Sequence, residues 1–361
     1  MKVMQVIARM NVGGTARYVG RLAEALPEQG IDVELVTGYV QDSEVEDPVV
    51  EHLEPRRARH LGRRVHLLND FQARAELREF IQQERPDVIH SHTFKAGALI
   101  RSLRLNVPVV HTFHGHLFDD PDFQGRRAQV ITVIERGLAG RASRIVTVGE
   151  VVGQDLLQRG IGKPEQFVSI PPGVDALDLP SRDQARQELR VPADSVTVAW
   201  VARVTDVKGP HRVIGLAKQF PTATFLMAGG GNLLDDMRRD APSNLHVLGW
   251  APAALVYGAS DVALSTSFNE GMPVSLIEAQ LAGLPVVAND VGSVREVVQN
   301  EVTGFVGTTA DLSDNLGFLI ADGALRQAMG ARARERSQRL FAPKQMVRAH
   351  ADLYTDLVEG R

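Results

Sequence analysis

Short apolar runs rich in β-branched residues alternate along this chain with longer segments of helical period. That alternation predicts parallel sheets with crossover helices. In the first half, strands are expected at 2–9, 31–37, 87–91, 107–113, 144–149 and 167–170, with helices near 15–29, 71–84, 95–104, 122–140 and 150–160. The pattern stops at Pro171-Pro172-Gly173-Val174-Asp175, where two prolines remove two backbone donors and suit a stiff linker. It resumes with strands at 196–201, 223–228, 245–248, 261–265, 285–288 and 304–306, and helices near 209–219, 231–240, 252–258, 274–282 and 293–299. A last helical stretch, 344–359, follows Pro343 and lies outside the second alternation. The expected fold is α/β: two Rossmann-like, doubly wound parallel-sheet domains in tandem, 1–172 and 173–343.

Ligands of open parallel sheets bind at the carboxyl ends of the strands, so the strand-to-helix loops are where chemistry is sought. Two such domains facing each other would form a cleft. The strand VTVAWVAR ends at Arg203, and Lys208-Gly209-Pro210 opens the next helix. Two permanent cations beside helix N–H groups suit a diphosphate, although two surface cations alone would mean little. A second loop strengthens the case: Ser267-Phe268-Asn269-Glu270-Gly271-Met272-Pro273-Val274-Ser275-Leu276-Ile277-Glu278. Pro273 suits the first position of a helix, where no N–H is lost, which leaves the amides of Val274 and Ser275 pointing at an anion. Gly271 permits close backbone approach. Glu270 and Glu278 would repel phosphate, so their expected use is to accept hydrogen bonds from sugar hydroxyls.

Composition narrows the field. The 361 residues are 44% hydrophobic and 23% charged, which excludes a chain disordered along its length, and the absence of Cys excludes disulfides and thiol chemistry. Formal net charge is −4. Residues 1–176 hold 22 Lys+Arg against 23 Asp+Glu, and the remainder 18 against 21, so neither half is a nucleic-acid-binding body. No apolar run is long enough to cross a bilayer, and MKVMQVIARMNVGG reads as a first core strand rather than a cleavable signal. A cytoplasmic protein is expected.

EGMPVSLIE followed by AQLAGLPVVANDVGSVREVV, and preceded by VARVTDVKG, resembles the retaining glycosyltransferases of family 4 with the GT-B fold. The resemblance covers nearly the whole chain. It implies that Arg203 and Lys208 hold the diphosphate of a nucleotide-sugar donor, Glu270 the donor sugar and Glu278 the ribose. Gly271, Met272, Val274 and Ser275 line the same place, while Gly230 and Trp250 stand around nucleotide and base. It also implies that the final helix, 344–361, completes the first domain, which would bind acceptor while the second binds donor. The Asn11-Val12-Gly13-Gly14-Thr15 loop is by itself a tight turn, and no G-x-G-x-x-G dinucleotide fingerprint is present. In the resembling family this loop, with Gly13 and Gly14, approaches the donor.

Five histidines, His90, His92, His111, His114 and His116, sit at two strand ends. No Cys or H-E-x-x-H accompanies them, so no metal or other cofactor is expected. In family 4 the pattern of Thr112-Phe113-His114-Gly115 places a histidine beside the reacting sugar, which gives His114 a catalytic role with Glu270, Arg203 and Lys208. HSHTFKAGALIR and VVHTFHGHLF resemble a subgroup that extends lipid-linked sugars in bacterial capsule, exopolysaccharide or O-antigen assembly. Lys95, at a helix N-terminus, is then a candidate for the acceptor's diphosphate. Arg56, Arg57, Arg59, Arg63 and Arg64, with no acid between Pro55 and Asn69, form a candidate contact with an anionic membrane. Two departures stand out, Phe94 before Lys95 and Trp250 after Gly249, where the family more often has smaller residues.

The paired acids Asp119-Asp120 and Asp235-Asp236 read as solvated, so the cations and the helix start at Val274 are expected to stabilise the leaving phosphate without a metal. The resulting expectation is transfer of a hexose or N-acetylhexosamine, from a UDP-sugar in preference to GDP-mannose, to a polyprenyl-diphosphate-linked saccharide. A UDP-sugar epimerase and a non-catalytic nucleotide-sugar-binding module are the alternatives.

Overall fold

In a computed structural model, residues 1–41, 44–62, 66–115 and 125–360 are described, with only the backbone of Arg126 and Arg127. The strand β1 (Lys2–Ile7) shows why the first sheet reads as an apolar run. Met4 and Val6 turn to one face and pack with Ala73, Leu77, Ala96 and Ile100 from the helices Leu67–Glu84 and Phe94–Ser102. Ile7 turns to the other face and meets Ala16, Val19 and Ala23 of the helix Gly14–Ala25. A strand buried on both faces has no polar alternation to show.

β1 is joined by β2 (Asp32–Thr37), β3 (Arg56–Arg57), β4 (Val88–His92), β5 (Val109–Phe113), β6 (Arg144–Thr147) and β7 (Phe167–Ser169). The order is β3-β2-β1-β4-β5-β6-β7, with every pairing parallel. The second sheet contains β8 (Thr197–Val201), β9 (Thr224–Ala228), β10 (Leu245–Gly249), β11 (Val262–Ser265), β12 (Val286–Asn289) and β13 (Gly304–Gly307). Its order is β10-β9-β8-β11-β12-β13, again parallel. Trp200, Phe225, Met227, Leu264 and Val287 form its core with Leu316, Leu319 and Met329. Each sheet reverses its winding once, between β1 and β4 and between β8 and β11, and such reversals leave a crevice at the strand carboxyl ends.

The chain divides into two compact units, Met1–Gly173 with Pro343–Arg361, and Val174–Ala342. The final helix, Pro343–Glu359, buries Met346, Val347, His350, Leu353 and Tyr354 within the first unit.

All twelve expected strands form, their ends within two residues of the expected positions. β3 was not expected, because two consecutive arginines carry no strand signal. The helices Val49–Leu53, Arg182–Leu189, Leu312–Ala321 and Gly323–Leu340 were missed as well. For Arg182–Leu189 a signal existed: Ser181 and Gln184 form a capping box, in which the Gln184 amide donates to Ser181 Oγ at 3.3 Å.

Candidate functional site

In the second unit the two loops at the sheet's reversal are tied to each other. The Phe268 amide donates to the Val207 carbonyl at 2.8 Å, and Arg212 donates to the Thr266 carbonyl at 2.9 Å while lying 3.8 Å above the Phe268 ring. The Thr266 hydroxyl is 2.9 Å from both the Lys208 and the Gly209 carbonyl oxygens, and Trp200 Nε1 donates to that hydroxyl at 2.9 Å. Gly209 has φ 62, and a β-carbon there would stand 2.4 Å from the Thr266 carbonyl oxygen. Only glycine allows the loops to close this far.

The closure brings Lys208 to Glu270. Lys208 Nζ lies 2.7 Å from Glu270 Oε1, and the Ser267 hydroxyl donates to the same oxygen at 2.6 Å. Glu270 is 8% exposed, so its charge is neutralised where water is scarce. The helix Val274–Leu281 begins beside it, with Pro273 as its N-cap at ψ 91 rather than its first helical residue. The expected position is thus shifted by one, without consequence for the free amides. Helical bonding starts with Leu276 and Ile277 donating to Pro273, and the amides of Val274 and Ser275 precede it. Tyr257 steadies this turn by donating to the Ser275 carbonyl at 2.8 Å. Glu278 is buried within the helix, Met272 is buried just before it, and Gly271 is partly exposed.

Arg203 is exposed two residues after β8, and no ion pair to it is present among the described residues. Trp250 is 72% exposed, and its indole nitrogen would be 2.3 Å from a β-carbon at position 230. Gly230 therefore lets the indole come close to the loop after β9. Asp235 and Asp236 sit in the first turn of the helix Leu234–Asp240, paired with Arg238 and Arg239.

In the first unit, Gly13 and Gly14 open the helix Gly14–Ala25 at the end of β1. His92 ends β4, whereas His90 and His111 are buried in the middle of β4 and β5 rather than at their ends, and His114 is partly buried just beyond β5. His92 Nδ1 and His114 Nε2 are 3.1 Å apart, while His90 bonds Tyr354 at 2.5 Å and Thr112 at 2.6 Å. His350 contacts the Tyr18 hydroxyl at 3.2 Å. Burial holds His114 down to about 3 and His350 to about 4, and pushes His90, His92 and His111 well below the ordinary value. The group is neutral at pH 7. Tyr18, His350 and Tyr354 were missed by sequence reasoning. The i, i+4 spacing of His350 and Tyr354 on the final helix was the available signal.

Two expectations change. Lys95 is 6% exposed and its ammonium donates to Asp70 of the neighbouring helix, so it is not a free cation awaiting a diphosphate. Arg56 pairs with Glu84 at 2.8 Å and lies 3.9 Å above the Phe80 ring, and Arg57 bridges Glu46 at 2.7 and 2.8 Å. Both are half-buried and matched by acids. Arg59 is exposed, whereas Arg63, Arg64, His116, Asp119 and Asp120 lie outside the described residues. Among the described residues no group of three or more His, Asp or Glu is placed to hold a metal ion.

Residues 13–173 match the family model described as "Glycosyl transferase 4-like domain", and residues 181–336 match "Glycosyl transferases group 1". The chain is 26% identical to the Escherichia coli UDP-Gal:alpha-D-GlcNAc-diphosphoundecaprenol alpha-1,3-galactosyltransferase, over 100% of this chain and 98% of the relative. It is 30% identical to a D-inositol 3-phosphate glycosyltransferase of Corynebacterium kroppenstedtii, over 78% of this chain and 70% of the relative. Among solved structures, sucrose-phosphate synthase of Thermosynechococcus elongatus superposes with a TM-score of 0.85 at 21% identity, covering 100% of both chains. Anabaena HepE in complex with UDP and glucose superposes with a TM-score of 0.81 at 20% identity, over 99% of this chain and 100% of the other.

Proposed function

The chain belongs to the family 4 glycosyltransferases of GT-B fold, and from that premise we propose that it moves a hexose or N-acetylhexosamine from a UDP-sugar to a polyprenyl-diphosphate-linked saccharide, with retention and without a metal. The observation that carries this reading is the Lys208–Glu270 pair, set beside the free amides of Val274 and Ser275. It offers a diphosphate a cation and two N–H groups, and a sugar a carboxylate that Lys208 keeps from repelling the phosphates. The names of the E. coli relative and of the HepE complex support UDP and a lipid-linked acceptor.

In this reading Arg203 and Lys208 meet the diphosphate, Glu270 accepts from the sugar hydroxyls, and Glu278 accepts from the ribose. Gly230 and Trp250 stand at the base. The first unit takes the acceptor and places His114 at the reacting sugar. The bond between C1 and the diphosphate oxygen breaks as the acceptor oxygen bonds C1 on the same face, and the acceptor's proton passes to the departing phosphate. Arg203, Lys208 and the helix amides stabilise the negative charge that develops there.

No helix among the described residues is long and apolar enough to cross a membrane. We place the enzyme in the cytoplasm at the membrane's inner face, with exposed Arg59 and the exposed Leu67, Leu68 and Phe71 as the contact.

The test is nucleotide release from a panel of UDP- and GDP-sugars, with and without a membrane extract as acceptor and with and without excess chelator. UDP release that depends on the extract and survives chelation is expected. Loss of activity in chelator overturns metal independence, and an altered sugar formed without any acceptor establishes the epimerase instead.

A further inference from the structure

His92, the last residue of β4, bonds His114 just past the end of β5, ring nitrogen to ring nitrogen, at 3.1 Å. Nothing in the transfer chemistry above requires His92. Yet it is fully buried, 4.1 Å from the His90 ring and 6.3 Å from Tyr18, which stands edge-on to His114 at 4.9 Å. The next residue, Thr93, is β-branched and has φ 67, a conformation such residues rarely adopt. Strain of this kind persists only where surrounding contacts over-determine it. It lies where the chain turns from β4 into the helix Phe94–Ser102, and so fixes how His92 leaves the strand.

Burial keeps both rings neutral. A contact between two neutral imidazoles holds a single proton, so the tautomer of one ring dictates that of the other. If His114 donates, His92 must carry its N–H on Nε2, which is buried with no hydrogen-bond partner among the described residues. If His92 donates from Nδ1, the buried Nε2 holds only a lone pair and His114 keeps its proton on Nδ1. Burying an N–H without an acceptor is the less favourable of the two, as its rarity in folded proteins attests.

We propose that His92 is a positioning residue that fixes the ring plane and the tautomer of His114, so that His114 meets a sugar hydroxyl oxygen as an Nδ1–H donor. This rests on the placement of His114 at the reacting sugar. The chemistry it selects is an acceptor oxygen at that point of the sugar, where a deoxy or amino-cation substituent would not be recognised.

Two measurements on the full chain test it. Ring-15N histidine labelling, with signals assigned through single variants, is expected to show His114 protonated on Nδ1 in the wild type and as a tautomer mixture in His92→Leu. In transfer assays His92→Leu is expected to lose roughly tenfold or more in kcat while its affinity for UDP stays within about twofold. His92→Asn, whose amide nitrogen can occupy the place of Nδ1, is expected to recover most of that loss. His114 protonated on Nε2, wild-type turnover in His92→Leu, or equal losses in the Asn and Leu variants each overturn the proposal. Unchanged transfer in His114→Ala overturns the sugar contact, and the ring spectra of His92→Leu still decide whether His92 sets the tautomer.

Discussion

Lys208 Nζ and Glu270 Oε1 stand 2.7 Å apart, charge partners brought together from loops 62 residues apart in sequence. Removing one partner leaves the other charged and poorly solvated, whereas removing both does not. Lys208→Met is therefore expected to cost about 2 kcal/mol of stability, much of which returns when Glu270→Gln is added. Urea unfolding of both singles and the double checks this. A double variant less stable than either single would show that the pair does not act as one.

The same two side chains part company in assays with substrate. Lys208→Ala is expected to weaken UDP binding by calorimetry, while Glu270→Gln lowers kcat by about a hundredfold and leaves UDP affinity nearly unchanged. Equal losses in binding and turnover for Glu270→Gln would remove it from the sugar.

The neutral histidines of the first unit make stability depend on pH. His114 and His350 have native values near 3 and 4, below the ordinary 6.5, so the unfolded chain binds protons more readily than the native one. The stability they contribute is present above pH 6.5 and is lost as the pH falls through 6.5 toward 4. Melting temperatures at pH 7, 6 and 5 are expected to fall in that window, and less steeply for His350→Gln. A flat profile would mean that the rings are solvated.

Arg186 is 3% exposed and donates to four carbonyl oxygens, those of Pro192, Ala193, Ser195 and Ala259, and to Thr197 and Asp261. Arg186→Leu takes a donor from each of these groups, although Asp261 keeps Arg182 at 2.7 Å and the Thr197 amide at 2.8 Å, and is expected to lose about 3–5 kcal/mol in chemical denaturation. A loss below about 1 kcal/mol would place the residue among ordinary surface arginines.

Trp250 is exposed and the other tryptophan, Trp200, is buried, so a change in fluorescence on adding UDP should come from Trp250. The change is expected to vanish in Trp250→Phe. Persistence in that variant would move the base elsewhere.

The strands were legible because both faces of each sheet are buried, which compresses them into short apolar runs. The turn from Ser267 into the helix at Val274 was legible because Gly271 and Pro273 punctuate it locally. What sequence could not reveal was pairing at a distance. Arg56 finds Glu84, 28 residues on, and Lys95 finds Asp70, 25 residues back, so cations that look free along the chain are matched in space. The histidines read as a row on two strands, yet Tyr18 reaches His350 across 332 residues and His90 reaches Tyr354 across 264.

Because His350 and Tyr354 belong to the helix that ends at Glu359, the first unit is completed only after the second has been made. Its seven strands are made first, but the hydroxyl and imidazole that close over His90 and Tyr18 arrive only after the whole second unit has been made. The two contacts that tie the final helix to Tyr18 and His90 are therefore made last within that unit's chain order. A chain cut before Pro343 would lack the His350 partner of Tyr18 and the Tyr354 partner of His90.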